Sequence, residues 1–497
     1  MISLRDFSFT YDGSPQPALS KVNLEIAAGE FVVIAGPSGC GKTTLALAIA
    51  GVLCQQYNCK TDGKISVQGA DVLRAPVYET AQRVGLVQQN PELQFCTLTV
   101  LDEVAFGLEN RCVPREIIEQ RVIEALERVN ALHLLGRELA SLSGGEKQRV
   151  AIASVIATQP PVLIFDEPTS NLDPAATRTI FRVVEGIREQ GELTVIVIEH
   201  KLAFLRPFFP RLIELEHGRI VADETMSLQP LTAPLTTGRC SPQTTSKEPI
   251  VTVQDLCVQI DGREILSDIS LEIHAGDVIS VMGRNGSGKT TFLQCLIGLV
   301  RTKRGMVFVA GHDASETPVS TLARAAGYVF QNPDHQLFAN SVWEEATLAP
   351  KNFGAFDAST DKRTVTLLER AGLMERVEDH PYRLSFGQKR RLNMVSILSY
   401  QPVVLLLDEI LIGQDPANAR FLLDNLCGAA GEGAAVLLVN HHPDLTTEYA
   451  NRILFLEEGR LRVDAPISEG LGQLARLGYH AFLPYAMHPS PPSETQG

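Results

Sequence analysis

The sequence predicts an α/β protein made twice over, a mostly parallel sheet flanked by helices and duplicated in tandem. Three observations predict it. First, one half of the 497-residue chain repeats the other. IAGPSGCGKTT, from Ile34, recurs as VMGRNGSGKTT, from Val281, and VGLVQQNPELQF, from Val84, recurs as AGYVFQNPDHQLF, from Ala326. VLIFDEP, from Val162, recurs as VLLLDEI, from Val404; VIVIEHK recurs as VLLVNHH, and LIELEHGRIVAD as ILFLEEGRLRVD. Five matches in one order, at a nearly constant offset, mark two fused homologous modules. Second, short apolar runs such as FVVIA and PVVLLLDE alternate with helical stretches, the pattern of a buried parallel sheet. Third, each repeat carries a glycine-rich turn between such a strand and a helix.

The repeat sets the domain boundaries. The first module is expected over residues 1–228 and the second over 249–480. Residues 229–248 belong to a stretch rich in Thr, Ser and Pro with no apolar period, which reads as an extended linker. Residues 481–497 end in HPSPPSETQG and read as a disordered tail.

Composition narrows the function classes. There are 44 basic and 58 acidic residues, a net charge of −14, and no long Lys/Arg run. Binding nucleic acid through phosphates calls for a basic surface, so no nucleic-acid partner is expected. No apolar run approaches the roughly 18–20 residues of a membrane span, and the start, MISLRDFSFTYDG, lacks a secretory signal pattern. The nine cysteines include no CxxC pair, which argues against zinc ribbons and iron–sulfur clusters. They are expected to be reduced thiols.

The glycine-rich turns carry the chemistry. Gly36, Pro37, Ser38, Gly39, Cys40, Gly41, Lys42 and Thr43 fit G-x-x-x-x-G-K-[ST], as do Gly283, Arg284, Asn285, Gly286, Ser287, Gly288, Lys289 and Thr290. Thr44 and Thr291 follow. Each turn comes after an apolar strand and opens an apolar helix, the context that identifies a P-loop. Its backbone N–H groups turn inward around phosphate oxygens, and the helix N-terminus adds positive potential. Lys42 and Lys289 are expected on the β- and γ-phosphates of ATP, and the Thr43 and Thr290 hydroxyls on Mg²⁺. Asp166 and Asp408 close buried strands as further metal partners, and Glu167 and Glu409 are placed to polarise an attacking water.

P-loops occur in kinases, GTPases and many ATPases, but the full set is narrower. LSGGE, a glutamine after a strand (Gln89, Gln331), Asp-Glu at a strand end and a late histidine (His200, His441) recur in one order. On these residues the chain resembles ABC-type ATPase subunits over nearly its whole length. The resemblance implies, for each module, a RecA-like core with an antiparallel β subdomain and a helical subdomain that carries the signature. It also implies two ATP sites, each joining one P-loop to the other module's signature. The first would pair Lys42, Gln89, Asp166, Glu167 and His200 with Ser385, Phe386, Gly387 and Gln388. The second would pair Lys289, Gln331, Asp408, Glu409 and His441 with Ser143, Gly144, Gly145 and Glu146. Tyr11 matches the aromatic that stacks on adenine in this family, and its counterpart is Ile260.

The second signature reads LSFGQKRR where the first reads LSGGEKQR. A phenylalanine replaces a glycine whose N–H faces the γ-phosphate in this family. If that position needs positive φ or close approach, Phe386 is strained and displaces the donor; if not, the ring points away. Strain or poor closure is the expectation. A displaced donor costs up to about 2.7–4 kcal/mol, and a lost stacking partner about 1–3 kcal/mol. The site holding Glu409 is therefore expected to hydrolyse faster. ILIGQD after Asp408-Glu409 also departs from PTSNLD, and the sequence suggests no consequence.

QNPDHQLF after Gln331, with its looser counterpart QNPELQF after Gln89, looks like the ATPase subunits of energy-coupling-factor (ECF) importers, which take up vitamins or transition-metal ions. The resemblance implies a transmembrane coupling subunit and a small membrane substrate-binding subunit as partners, with the ATPase peripheral at the cytoplasmic face. Trp343, the only tryptophan, follows this stretch and is expected to be a packed helix residue. A fused sugar-importer ATPase and a soluble ATPase acting on ribosomes or DNA remain as alternative readings. Cargo choice resides in another subunit and is not legible in this chain.

Overall fold

A computed structural model describes residues 1–14, 16–170, 172–189, 193–200, 202–205, 208, 210–226, 239–240, 248–484 and 487. The chain divides into two compact units, Met1–Pro230 and Leu231–Gly497.

The strands of the first unit are β1 (Ile2–Tyr11), β2 (Leu19–Ile26), β3 (Phe31–Ala35), β4 (Cys59–Val67), β5 (Ala70–Asp71), β6 (Val84–Val87), β7 (Val162–Asp166), β8 (Thr194–Ile198), β9 (Arg211–Glu216) and β10 (Arg219–Thr225). An antiparallel sheet has the order β2-β1-β4-β5, and a six-stranded sheet the order β10-β9-β3-β8-β7-β6. In the latter β6, β7, β8, β3 and β9 are parallel and β10 is an antiparallel edge. The second unit repeats this with β11 (Val251–Ile260), β12 (Arg263–Ile273), β13 (Val278–Gly283), β14 (Val307–Val309), β15 (His312–Asp313), β16 (Ala326–Val329), β17 (Val404–Asp408), β18 (Ala435–Val439), β19 (Arg452–Glu457) and β20 (Arg460–Pro466). Its sheets run β12-β11-β14-β15 and β16-β17-β18-β13-β19-β20.

Burial on both faces explains the unbroken apolar runs. In β3, Phe31, Val33 and Ala35 face a core shared with the helices Val100–Glu109, Arg115–Arg128 and Gly144–Ile156. Val32 and Ile34 face the other way, onto the antiparallel sheet and the helix Lys42–Ile49. β7 divides alike, with Leu163 and Phe165 on the first core and Val162 and Ile164 on the second. In the second unit, Val404 and Leu406 of β17 face one core while Leu405 and Leu407 face another.

Two expectations are corrected here. Residues 227–238 and 241–247, most of the expected linker, lie outside the described residues, but Arg239 and Cys240 dock on the second unit. Arg239 pairs with Glu448 at 2.9 Å and lies over the Tyr449 ring. Cys240 is buried and forms a disulfide with Cys427, their Cα atoms 5.1 Å apart, so the nine cysteines are not all free thiols. The tail also begins later than expected. Phe482 is buried against Phe455, ring centroids 5.0 Å apart, so the packed module runs past residue 480. Residues 488–497 lie outside the described ones.

Candidate functional site

Each P-loop sits at the carboxyl end of a central parallel strand, β3 or β13, and opens a helix, Lys42–Ile49 or Lys289–Leu296. Gly36 and Gly283 take φ 146° and 147°, and a Cβ there would lie 2.0 Å from the Leu215 carbonyl oxygen or 2.2 Å from that of Leu456. Only glycine lets the loop turn that close to the neighbouring strand. Lys42 Nζ donates to the carbonyls of Gly36 and Pro37, both at 2.9 Å. Lys289 Nζ donates to Gly283 at 3.0 Å and Arg284 at 2.8 Å. Both ammonium groups thus lie at the centre of their loops.

Thr43 Oγ1 donates to Asp166 Oδ1 and Thr290 Oγ1 to Asp408 Oδ1, each at 3.2 Å. Asp166 is pushed up to about 6 by burial and by the neighbouring Glu167 charge, against hydrogen bonding from Thr43. Asp408 is raised for the same two reasons.

Beside each aspartate a glutamate is held from two sides. Gln89 Nε2 donates to Glu167 Oε2 at 2.9 Å, and His200 Nε2 lies 3.2 Å from Glu167 Oε1. In the second unit Gln331 Nε2 donates to Glu409 Oε2 at 2.7 Å, and His441 Nε2 lies 3.0 Å from Glu409 Oε1. Both glutamates adopt the left-handed region, φ 45° and 51°. That conformation costs a non-glycine residue about 1–3 kcal/mol and persists where surrounding structure imposes it. The imposing contacts are Glu167 N to the Ile198 carbonyl at 3.0 Å and Glu409 N to that of Val439 at 3.1 Å. Residues far apart in sequence therefore converge within each module.

Tyr11 Oη lies 3.0 Å from Thr44 Oγ1, and its ring meets Tyr57 edge-on. Ile260 at the matching place is exposed. Trp343 packs on a buried helical cluster with Leu392 and Val395.

The signature loops correct the strain expected of Phe386. Ser143 caps its helix at φ −67°, ψ 161°, and Ser385 at φ −65°, ψ 161°. Both form a capping box, Ser143 with Glu146 and Ser385 with Gln388. Phe386 is the first residue of the helix Phe386–Leu398 and has no positive φ, and a Cβ at Gly144 would meet nothing closer than Leu172 at 3.9 Å. The helix start tolerates any side chain, so the backbone donors are not displaced. The ring is 46% exposed and covers the Arg390 guanidinium at 5.3 Å. Arg390, 1% exposed, donates to the carbonyl oxygens of Phe330 and Gln331. Burial lowers its pKa to about 10. The first module has Gly144 and Gln148 at these two places, so ring and guanidinium occur together, as an i,i+4 pair, in the second module alone.

Other contacts were not read from the sequence. Tyr328 Oη donates to Asp408 Oδ2 at 3.1 Å, where the first module has Leu86. Burial, and then the Asp408 charge, raise the Tyr328 pKa, so the phenol remains a donor. The ILIGQD departure also finds a partner. In the first module buried Thr169 donates to buried Glu199 at 2.9 Å. Leu411 and Asn440 stand at those positions, both buried, and Asn440 donates to Ser280 at 3.2 Å. The second module lacks both the buried acid and its donor.

A lysine within a glycine loop, a Thr–Asp oxygen pair and a polarised glutamate together define a P-loop nucleoside triphosphatase. Residues 19–170 and 266–411 match the ABC transporter family, and the chain belongs to that family: it carries two ABC ATPase domains in tandem that bind and hydrolyse ATP. It is 34% identical to a protein of Methanosarcina acetivorans provisionally named an ABC transporter ATP-binding protein, over 97% of this chain and 88% of that one. It is 32% identical to a Bacillus subtilis protein, YkoD, provisionally named an HMP/thiamine import ATP-binding protein, over 96% of this chain and 94% of that one. Among solved structures, cbiO1 from Clostridium perfringens, described as part of the ABC transporter complex cbiONQ, is 29% identical with a TM-score of 0.41. It covers 45% of this chain and 87% of that one. Among the described residues no helix is long and apolar enough to cross a membrane.

Proposed function

We propose that this ATPase is the energy-coupling subunit of an ECF-type importer for a vitamin, a vitamin precursor or a transition-metal ion. It works at the cytoplasmic face with a transmembrane coupling subunit and a small membrane substrate-binding subunit. The observation that carries the reading is the stretch after each glutamine. Leu93 and Leu98 are 76% and 82% exposed, and Phe338 is 74% exposed. Large apolar side chains this open, grouped beside a motor's catalytic glutamine, mark a surface that a partner covers. The likeness to a relative named for thiamine import agrees with it.

In this reading the P-loop amides of residues 36–44 and 283–291, with Lys42 and Lys289, bind the ATP phosphates. Ser143–Glu146 and Ser385–Gln388 complete the surroundings of the γ-phosphate. Glu167 and Glu409 accept a proton from the attacking water, while Gln89, His200, Gln331 and His441 hold those carboxylates in place. The hard oxygen donors Thr43 with Asp166, and Thr290 with Asp408, fit Mg²⁺. The ion supplies charge neutralisation on the phosphates.

The test is co-purification of membrane partners with Leu98→Glu/Phe338→Glu. Loss of partners with nucleotide binding intact supports the reading, and partners retained at wild-type yield overturn it.

A further inference from the structure

The second module contains a cavity that none of its P-loop residues lines. It lies between the helix Ala358–Arg370 on one side and the end of the helix Pro416–Gly431 on the other, and it has a volume of about 650 Å³. That falls within the range of small-molecule sites, roughly 300–1,000 Å³. Leu367 and Val403 contribute apolar surface, and three cations, Lys362, Arg363 and Arg370, line the wall formed by the first helix. None of the three has an ion-pair partner among the described residues; Arg363 donates to the Ser399 carbonyl at 3.1 Å. The acids of the opposite wall are already engaged. Asp424 accepts from Tyr449 and lies 3.8 Å from Arg239, and Glu432 accepts from Gln401.

The first module supplies an internal comparison. Among the described residues its pocket between Arg121, Arg128 and Gln159 has a volume of about 10 Å³; residues 190–192, at the places of Glu432, Gly433 and Ala434, lie outside the described ones. Val183 and Ile187 are buried there in the core that holds Ala125 and Ile156. Asn425 and Ala429 stand at the matching positions of the second module and line the cavity. The second module thus has less apolar bulk at this place, at Asn425 and Ala429, while two of its basic residues, Arg363 and Arg370, have counterparts in Arg121 and Arg128.

We infer that this cavity is a binding site for a small organic anion, with a phosphate or carboxylate on Lys362 and Arg370 and an apolar portion against Leu367 and Val403. A ligand there bridges the helical layer that carries the signature and the core that carries Asp408. The experiment is calorimetric titration of phenyl phosphate into the full-length chain, with both P-loops saturated by a non-hydrolysable ATP analogue. Saturable binding at one site is expected. Lys362→Glu/Arg370→Glu and, separately, Ala429→Ile should each weaken it by about tenfold or more. Inorganic phosphate should bind more weakly than phenyl phosphate. The exposed charge variants leave the core untouched, and Trp343 emission in urea checks that Ala429→Ile folds. No saturable binding, or binding unchanged in either variant, overturns the inference. So does binding lost in the charge variant but kept in Ala429→Ile, because the anion then sits on the surface and not in the cavity.

Discussion

Replacing Tyr328 by Phe removes one hydroxyl and leaves the ring. That hydroxyl donates to Asp408 Oδ2 at 3.1 Å, and the aspartate is only 3% exposed. A hydrogen bond to a charged group contributes about 1.5–3 kcal/mol, and a buried acceptor stripped of its donor loses that amount. Tyr328→Phe should therefore lower the stability of the second module by about 1.5–3 kcal/mol. Trp343 is the chain's only tryptophan and packs within that module, so its emission in urea follows the unfolding of the relevant half. A double-mutant cycle with Asp408→Asn separates the hydrogen bond from ring packing. The coupling energy should be at least about 1 kcal/mol. If Tyr328→Phe costs the same in the Asp408→Asn background, the hydroxyl does not act on the carboxylate and the reasoning fails.

In the assembled complex, Glu409→Gln should reduce ATP turnover more than Glu167→Gln, each removing a proton acceptor that contributes about 10²–10⁴-fold. The reverse order would refute the ranking of the sites, whose remaining support is the bulk of the Phe386 ring. Ile260→Tyr should tighten nucleotide binding at the second P-loop by about 1–3 kcal/mol, read with a fluorescent ATP analogue in a Lys42→Ala background. No change would mean that the exposed edge of β11 does not meet the base. Cys427→Ser should destabilise the second module by about 2–5 kcal/mol, again by Trp343 emission. A peptide map without reductant should link Cys240 to Cys427, and finding both as free thiols would refute the bridge.

Elements that obey a local rule were legible in the sequence. Continuous apolar runs located β3, β7, β13 and β17, because strands covered on both faces have no polar side. The P-loops were legible because glycine spacing and the lysine act within one turn. The Gln–Glu–His clusters were legible only through the resemblance, since their members lie up to 111 residues apart within a module, as Gln89 and His200 do. Tyr328 beside Asp408 and Arg390 against Gln331 were missed because neither contact follows from spacing along a strand or helix. One signal was available: Phe386 and Arg390 depart from the first module at positions four apart, on one face of the signature helix.

The duplication makes the second module's departures readable as physics. Two of them come in matched pairs. An exposed ring at 386 arrives with a buried guanidinium at 390 that it covers. An apolar residue at 411 arrives with the loss of the buried acid at the position of Asn440. In each case a single substitution would leave a buried charge less shielded or a buried carboxylate with one donor fewer, at a cost of about 1–3 kcal/mol. The pair restores the local balance. Asn425 and Ala429 differ in kind. They stand where the first module has Val183 and Ile187, with less apolar bulk, and both line the cavity. The space is open to water and presents an apolar wall beside three cations that have no ion-pair partner among the described residues. An anion with apolar surface matches that lining on both counts, which is why the cavity reads as a site and not as loose packing.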